Sequence, residues 1–212
     1  MQPPLLFRKL FRSFVWRVPT KDLVLFLTFD DGPVPEVTPH VLELLRKYNA
    51  KATFFCIGDN VRKHPEIFQK VINDGHAIGN HTYNHLNGWK TPTEDYILNI
   101  DKCHGLLKSE IRNPQSAIDF FRPPYGKLSI SQYHKLKLDF SIIMWDVLTN
   151  DWKQHLTSDD CFEIVRRKAN AGSIIVFHDS LKAEKRMLQA LEKTLQYFSE
   201  RGFHFDKIPS QA

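Results

Sequence analysis

The sequence predicts an α/β fold in which parallel strands alternate with helices that cover the sheet. Short runs of apolar, β-branched or aromatic residues alternate along the chain with longer runs of helical periodicity. The apolar runs show no polar alternation, which is typical of strands buried on both faces. No segment rich in Pro, Gly or Ser divides the 212 residues, and a chain of that length can form one large core.

Seven strands are predicted from continuous apolar runs. In chain order they are Leu23–Phe29, Ala52–Ile57, His76–Gly79, Ile118–Phe121, Phe140–Trp145, Ser173–Phe177 and Phe203–Ile208. Six helices are predicted from helical spacing, namely Val37–Tyr48, Asn60–Asn73, Thr93–Ser109, Ser129–Leu136, Ser158–Asn170 and Leu181–Arg201. Thr38, Thr93 and Ser129 are the expected N-caps, because their hydroxyls can accept hydrogen bonds from first-turn N–H groups.

The chain is divided into an N-terminal amphipathic segment, residues 1–20, and a single domain, residues 21–212. Arg or Lys interrupts the apolar residues of the segment every three or four positions. It therefore lacks both the unbroken apolar stretch of a cleavable signal peptide and the apolar length of a membrane span. We expect it to pack on its own domain or to lie peripherally on a membrane face.

Charge and cysteine content narrow the expected partners and location. The formal net charge is +5, but Lys and Arg are spread along the chain with one modest cluster near the N-terminus. That distribution is typical of a solvated surface and argues against a nucleic-acid partner. Three cysteines without a CxxC pair argue against a disulfide framework. The expected location is the cytoplasm or a peripheral position on a membrane.

Residues that can carry chemistry follow five of the seven predicted strands. They are Asp30 and Asp31 after the first strand, His81 and His85 after the third, Arg122 after the fourth, Asp146 and Asp151 after the fifth, and His178 and Asp179 after the sixth. In a parallel α/β barrel these strand ends face one rim, where active sites are built. Ordinary turn residues at so many strand ends would rarely all be Asp, His and Arg.

Two of these groups together indicate a metal site. The segment TFDDGP supplies neighbouring carboxylates that could bind a metal and act as a base, although Asp-Asp-Gly-Pro is also a good turn. His81 and His85 are four residues apart, so on a helical turn both rings would point the same way. Two His and one carboxylate suit catalytic Zn²⁺ and also non-haem Fe(II).

The remaining candidates are ambiguous when each is taken alone. In FRPPYG, two prolines withhold their N–H groups, so the next N–H available to the rim belongs to Tyr125. Trp145 and Trp152 are candidates for core residues or for a sugar platform. His178 ends a strand that should be buried, where a single histidine is usually a hydrogen-bonded core residue.

Together, TFDDGP, HTYNH, RPPYG, a loop ending in NDW, and VFH resemble the five motifs of the polysaccharide deacetylases, in the same order. This is the NodB-homology group, carbohydrate esterase family four, and the resemblance extends from about Leu23 to Ile208. It implies a distorted, incomplete (β/α) barrel with about seven parallel strands, similar to a TIM barrel. It also implies metal-dependent removal of acetyl groups from N-acetylated, or in some cases O-acetylated, sugars of a poly- or oligosaccharide.

The resemblance also implies a role for each matching residue. It implies Asp30 as the catalytic base, Arg122 as the residue that orients it, His178 as the acid, Asp151 as the partner of that acid, and the Tyr125 N–H as the oxyanion donor. The implied metal ligands are Asp31, His81 and His85. Tyr125, Trp152 and Val176 are the implied substrate-binding residues. The expected ion is Zn²⁺, with Co²⁺ or Ni²⁺ as alternatives, and the expected partner is an acetylated glycan.

Two positions depart from the family pattern. Leu148 stands where the fourth motif usually has Asp, and Val176 stands where the fifth usually has Leu. Because Asp151 is retained, we expect the chemistry to be retained, whereas the preferred glycan transfers less readily from the family. A non-catalytic sugar-binding domain would be expected to have lost Asp30 or His178. An Fe(II) oxygenase with the same ligand set would usually be a β-barrel.

Overall fold

Strands and helices alternate through the part of the chain that the structure describes. A computed structural model of the protein describes residues 13–111 and 118–210. The strands are β1 (Val24–Asp30), β2 (Ala52–Cys56), β3 (Ala77–Asn80), β4 (Phe120–Phe121), β5 (Ser141–Ile142), β6 (Val147–Leu148), β7 (Ile174–His178) and β8 (His204–Phe205). The α-helices are α1 (Thr38–Lys47), α2 (Gly58–Lys63), α3 (Pro65–Asn73), α4 (Thr93–Glu110), α5 (Ile130–Leu136), α6 (Ser158–Lys168) and α7 (Glu184–Ser199).

The strands form one parallel sheet with the order β5-β4-β3-β2-β1-β7-β6, and β8 pairs with the first residues of β1. The outermost strands β5 and β6 are separated in the chain only by residues 143–146. Because an extended chain advances at most about 3.6 Å per residue, the sheet must curl until its two edges are neighbours. Within the described residues β5 and β6 share no ladder. The predicted incomplete barrel of parallel strands is therefore confirmed.

The side chains of the central strand β1 point alternately into two apolar clusters, one on each face of the sheet. Successive side chains of a strand point to opposite faces. Leu25, Leu27 and Phe29 belong to the cluster between the sheet and the helices, whereas Val24 and Phe26 pack inside the curled sheet. Asp30 has the same parity as Phe26. Its carboxylate therefore enters the barrel interior at the carboxyl end of the strand.

Residues 13–18 cover the gap between the two sheet edges. The Val15 N–H donates to the Ile142 carbonyl at 2.9 Å, and the Val18 N–H donates to the Gly172 carbonyl at 2.9 Å. Trp16 is buried beside them, and the Arg17 guanidinium lies 3.0 Å from the Asp146 carboxylate. This part of the amphipathic segment packs on the domain, and residues 1–12 lie outside the described residues. The division of the chain at residue 20 stays a prediction.

Two predicted elements are interrupted. The helix predicted over Asn60–Asn73 is two helices, α2 and α3, which meet at His64. Pro65 lacks an N–H and disfavours helical backbone at the preceding residue, so a new helix begins there. The strand predicted over Phe140–Trp145 pairs with β4 only at Ser141–Ile142, Ile143 forms a single bridge with Val15, and the chain then crosses to the other sheet edge as β6.

Of the three predicted N-caps, only Ser129 accepts a capping hydrogen bond, as part of a reciprocal capping box with Gln132. Val37 and Pro92 occupy the N-cap positions of α1 and α4, without side-chain caps. The Thr38 hydroxyl bonds to Asp179 instead. Among the described helices, none combines the length and the apolar character that crossing a membrane requires.

Candidate active site

A cavity of about 390 Å³ opens at the carboxyl ends of the strands. Residues from the loops after β1, β3, β4, β6 and β7 contribute to its lining. The lining residues are Asp30, Asp31, His81, His85, Pro123, Tyr125, Gly126, Trp145, Leu148, Trp152, His178, Ser180 and Lys182. The structure thus brings together at one cavity most of the site residues predicted from the sequence.

Asp30 and Arg122 form a buried ion pair at the edge of the cavity. Arg122 Nη1 lies 2.7 Å from Asp30 Oδ1 and also donates to the Thr28 hydroxyl at 2.7 Å. The other guanidinium nitrogens donate to the carbonyls of Ile143 and Met144. Burial disfavours the charged carboxylate, but the charge and hydrogen bond of Arg122, together with His81 and His178, outweigh burial and lower the pKa of Asp30. Asp30 is therefore a carboxylate at neutral pH.

Asp31, His81 and His85 form a cluster that fits a metal ion. Their ligand atoms all lie within 4.8 Å of one another, and Asp31 Oδ1 is 3.8 Å from His81 Nε2 and 3.3 Å from His85 Nε2. Asp31 Oδ1 is buried without a hydrogen-bond partner. Metal–ligand bonds of about 2.0–2.1 Å in a tetrahedral site place ligand atoms roughly 3.3 Å apart. The residues present therefore fit a divalent ion.

Burial and a backbone contact set His81 in the state that a metal ligand needs. Its Nδ1 lies 2.7 Å from the Arg122 carbonyl, which accepts the Nδ1–H and leaves the Nε2 lone pair facing Asp31. Burial lowers the pKa of His81 to about 4, so the ring is neutral at pH 7. Arg122 thereby contacts Asp30 through its guanidinium and His81 through its backbone carbonyl.

The expectation that the two histidines share a helical turn is wrong. Residues 81–85 form no helix, and both Thr82 and His85 have positive φ, at 64° and 56°. The Asn80 side chain accepts from the Thr82 N–H at 2.8 Å, and the Thr82 hydroxyl accepts from the Leu86 N–H at 3.1 Å. These local hydrogen bonds turn the chain so that both rings still reach Asp31.

On the opposite side of the cavity, Asp151 holds His178 through two contacts. Asp151 Oδ1 lies 2.8 Å from His178 Nδ1, and Asp151 Oδ2 accepts from the His178 backbone N–H at 2.8 Å. Burial disfavours the imidazolium, but the charge and hydrogen bond of Asp151, together with the charges of Asp31 and Asp30, outweigh burial and raise the pKa of His178 to about 9. The Trp152 ring packs edge-on against His178, 4.6 Å away.

The other predicted site residues lie at different depths. Tyr125 has φ 60°, the residue is 61% exposed, and its ring centre is 4.6 Å from that of His85. Val176 is fully buried and is not among the lining residues, whereas Leu148, its partner in the ladder between β6 and β7, lines the cavity. Asp146 is not among the lining residues either: it bonds to Arg17 and to the Ser173 hydroxyl.

A family model described as "Polysaccharide deacetylase" matches residues 17–138, more than half of the chain. The chain belongs to the polysaccharide deacetylase family of enzymes. This confirms the family resemblance that the sequence motifs carry. A peptidoglycan-N-acetylglucosamine deacetylase of Bacillus cereus is 37% identical over 186 residues, which are 87% of this chain and 66% of that protein.

Two further polysaccharide deacetylases match nearly the whole chain. A chitooligosaccharide deacetylase of Azorhizobium caulinodans is 32% identical over 205 residues, with 91% of this chain and 96% of that protein covered. A crystal structure of a peptidoglycan N-acetylglucosamine deacetylase, in complex with 4-naphthalen-1-yl-N-oxidanyl-benzamide, superimposes with a TM-score of 0.88 at 32% identity. That superposition covers 98% of this chain and 96% of the other.

Sequence reasoning missed several residues of this polysaccharide deacetylase site. Ser180 and Lys182 line the cavity from the loop after β7, and neither residue type indicated a site by itself. Thr28 supports Arg122 from inside the barrel. The parity of β1 could have identified it, because Thr28 stands two residues before Asp30 on the same face of the strand.

Proposed function

We propose that this chain removes acetyl groups from N-acetylated sugars of a glycan by metal-dependent hydrolysis. One observation carries the proposal: a cavity beside the Asp–His–His cluster contains both a carboxylate with a lowered pKa and a histidine with a raised pKa. Amide hydrolysis needs a base for the attacking water and an acid for the departing nitrogen. Asp30 and His178 have these opposite protonation states at neutral pH.

The proposed metal ligands are Asp31 through Oδ1 and the two histidines through Nε2. A divalent ion in this position supplies Lewis acidity toward a carbonyl oxygen and favours deprotonation of water. We propose Zn²⁺, with Co²⁺ or Ni²⁺ as alternatives, because two imidazoles and one carboxylate suit these ions. The neutral state of His81 and the partnerless Asp31 Oδ1 support this assignment.

Asp30 is the proposed base. Its Oδ1 is occupied by Arg122, which leaves the second oxygen to accept the proton of the attacking water. Arg122 is immobile, because its three nitrogens also bond to the Thr28 hydroxyl and two backbone carbonyls, and its guanidinium stacks 4.0 Å from the Phe55 ring centre. The ion pair thus fixes both the charge and the direction of Asp30.

His178 is the proposed acid. Asp151 occupies Nδ1, so Nε2 is the ring atom that donates a proton to the departing amine nitrogen. The Tyr125 N–H is the proposed donor to the oxygen that becomes negative in the tetrahedral intermediate, a contact typically worth about 3–4 kcal/mol. Leu148 and Trp152 line the cavity where the acetyl methyl group would lie, and Val176 is the ladder partner of Leu148.

The proposed substrate is an N-acetylglucosamine unit of a peptidoglycan-like glycan. Relatives named peptidoglycan N-acetylglucosamine deacetylases support this choice, and the relative named a chitooligosaccharide deacetylase makes chitin oligomers the second candidate. Leu148 takes the place of a carboxylate in the cavity wall, so the order of preference among glycans has to be measured on this chain.

The test is an acetate-release screen over peptidoglycan fragments, chitin oligomers and acetylated xylan, with and without a chelator. We expect release from an N-acetylglucosamine glycan that stops when the metal is removed and resumes on addition of Zn²⁺. Glycan binding without release by the metal-loaded chain would favour a non-catalytic sugar-binding domain. Full activity of a metal-free sample would refute the metal-dependent mechanism.

A further inference from the structure

The peptide group between Asp31 and Gly32 is held at both of its polar atoms. Its oxygen, the Asp31 carbonyl, accepts a hydrogen bond from Asn60 Nδ2 at 2.7 Å. Its N–H, that of Gly32, donates to Asp179 Oδ1 at 3.0 Å. We call these two contacts the peptide clamp. Neither Asn60 nor Asp179 lines the cavity. Both residues therefore act on the site through the backbone peptide group between Asp31 and Gly32.

The backbone conformation of Asp31 explains why a clamp is needed. Its φ of 84° lies in the left-handed region, which residues other than glycine disfavour. Without external partners, the segment would relax toward a more favourable conformation. Because the side chain is attached to the same Cα, this rotation would carry the carboxylate away from His81 and His85. The clamp therefore maintains a position that the local sequence alone would not hold.

Asp179 is itself anchored deep in the fold. Its side chain is fully buried, and its Oδ2 accepts from the Thr38 hydroxyl at 2.6 Å. The same hydroxyl accepts from the Val34 N–H at 2.8 Å. The carboxyl group of Asp179 thus joins the end of β7, the loop after β1 and the first residue of α1. A Cβ on Gly32 would lie only 2.0 Å from Asp179 Oδ2, so this close approach requires glycine.

We propose that Asp179 is a positioning residue for the metal ligand Asp31, and that Thr38 and Asn60 complete its effect. The inference rests on the proposed metal site. Outer partners that orient metal ligands typically change metal affinity about 10–100-fold when they are removed. We expect an effect of this size because Asp179 fixes the strained backbone that carries Asp31.

The test measures the Zn²⁺ dissociation constant of the full chain by competition with a chromophoric chelator, which requires no glycan. We expect Asp179→Ala to weaken Zn²⁺ binding roughly 10–100-fold. Thr38→Val removes only the hydroxyl, and Asn60→Ala removes only the other end of the clamp, so we expect both to weaken binding by less. Thr38→Ser keeps the hydroxyl and should bind Zn²⁺ with wild-type affinity.

Thr194→Val is the matched control. Thr194 is as fully buried as Thr38, but its hydroxyl donates within α7 to the Ala190 carbonyl at 2.7 Å. We expect this variant to lose some thermal stability and to keep the wild-type Zn²⁺ dissociation constant. If Asp179→Ala does not fold, Thr38→Val decides, because it keeps Asp179 as the acceptor for Gly32 and removes only the hydroxyl that anchors that carboxyl group.

Three outcomes would overturn the positioning role. Wild-type Zn²⁺ affinity in both Asp179→Ala and Thr38→Val would overturn it and leave the proposed hydrolysis standing. Equal weakening of Zn²⁺ binding by Thr38→Val and Thr194→Val would overturn it as well, because general destabilisation of the fold would then explain the loss. Failure of the wild-type chain to bind Zn²⁺ would overturn the proposed metal site and the positioning role with it.

Discussion

Asp151 contacts His178 through both carboxylate oxygens, one on the ring nitrogen Nδ1 and the other on the backbone N–H, each at 2.8 Å. The ring contact favours the imidazolium, and the backbone contact fixes the strand end from which the ring projects. A single carboxylate thus sets both the charge of the proposed acid and its position.

The alkaline limit of activity should depend on Asp151. His178 acts when protonated, so the rate should fall as pH rises through its pKa of about 9. Asp151→Asn keeps the shape but removes the charge, and burial then lowers the pKa of His178. The alkaline limb of the kcat/KM profile should therefore move to lower pH. An unchanged limb would exclude His178 as the group that titrates there.

The two neighbouring carboxylates should separate metal binding from proton transfer. Asp30→Asn should keep its metal and lose roughly 10²–10⁴-fold in acetate release, the usual contribution of a positioned base. Asp31→Asn is the matched variant and should lose the metal as well as the activity. Metal content and rate should be measured on the same preparations. Metal loss in Asp30→Asn but not in Asp31→Asn would reverse the assignment.

Removal of the metal should abolish acetate release, and Zn²⁺ or Co²⁺ should restore it. His81→Ala should behave like the chelated enzyme, because it deletes a proposed ligand whose lone pair faces Asp31. His104→Ala is the control: this histidine packs against Phe140, away from the cavity. Elemental analysis of both variants checks the prediction, which fails if His81→Ala retains a full complement of metal.

The strap formed by residues 13–18 should contribute to stability. Arg17 pairs with the fully buried Asp146 at 3.0 Å, so Arg17→Ala should lower the free energy of unfolding by about 1–3 kcal/mol. Arg46→Ala breaks a pair of similar length on the surface, Arg46–Asp74 at 2.9 Å, and should cost about 0–1 kcal/mol. Urea unfolding of both variants compares them. Equal losses would mean that burial of Asp146 adds nothing.

The sequence predicts the alternation of elements and the position of most site residues, because both depend on local patterns. A buried apolar run followed by Asp30 and Asp31 places two carboxylates at the end of a strand, and this does not depend on how the rest of the chain folds. The crossing after β5 was not predictable in this way. Residues 140–145 are mostly apolar and predict one continuous strand, and only the curling of the whole sheet makes the chain leave one edge and join the other.

Side-chain contacts between distant parts of the chain are also not visible in the sequence patterns. Thr38 has the position and chemistry of an N-cap, yet its hydroxyl donates to Asp179, 141 residues away. Asn60 is helical as predicted, but it lies within α2, and its side-chain amide also donates to the Asp31 carbonyl. The turn through His81 and His85 likewise depends on support from Asn80, which helical spacing does not reveal.

The break between β5 and β6 has a chemical consequence. The carbonyls of Ile143 and Met144 lie in the crossing segment, and both accept hydrogen bonds from Arg122. In a closed barrel, carbonyls at these positions would be taken up by ladder partners. Closing the barrel would thus remove the acceptors that stabilise a buried cation beside Asp30. An unpaired sheet edge is usually destabilising. Here its free carbonyl groups bind the buried guanidinium of Arg122.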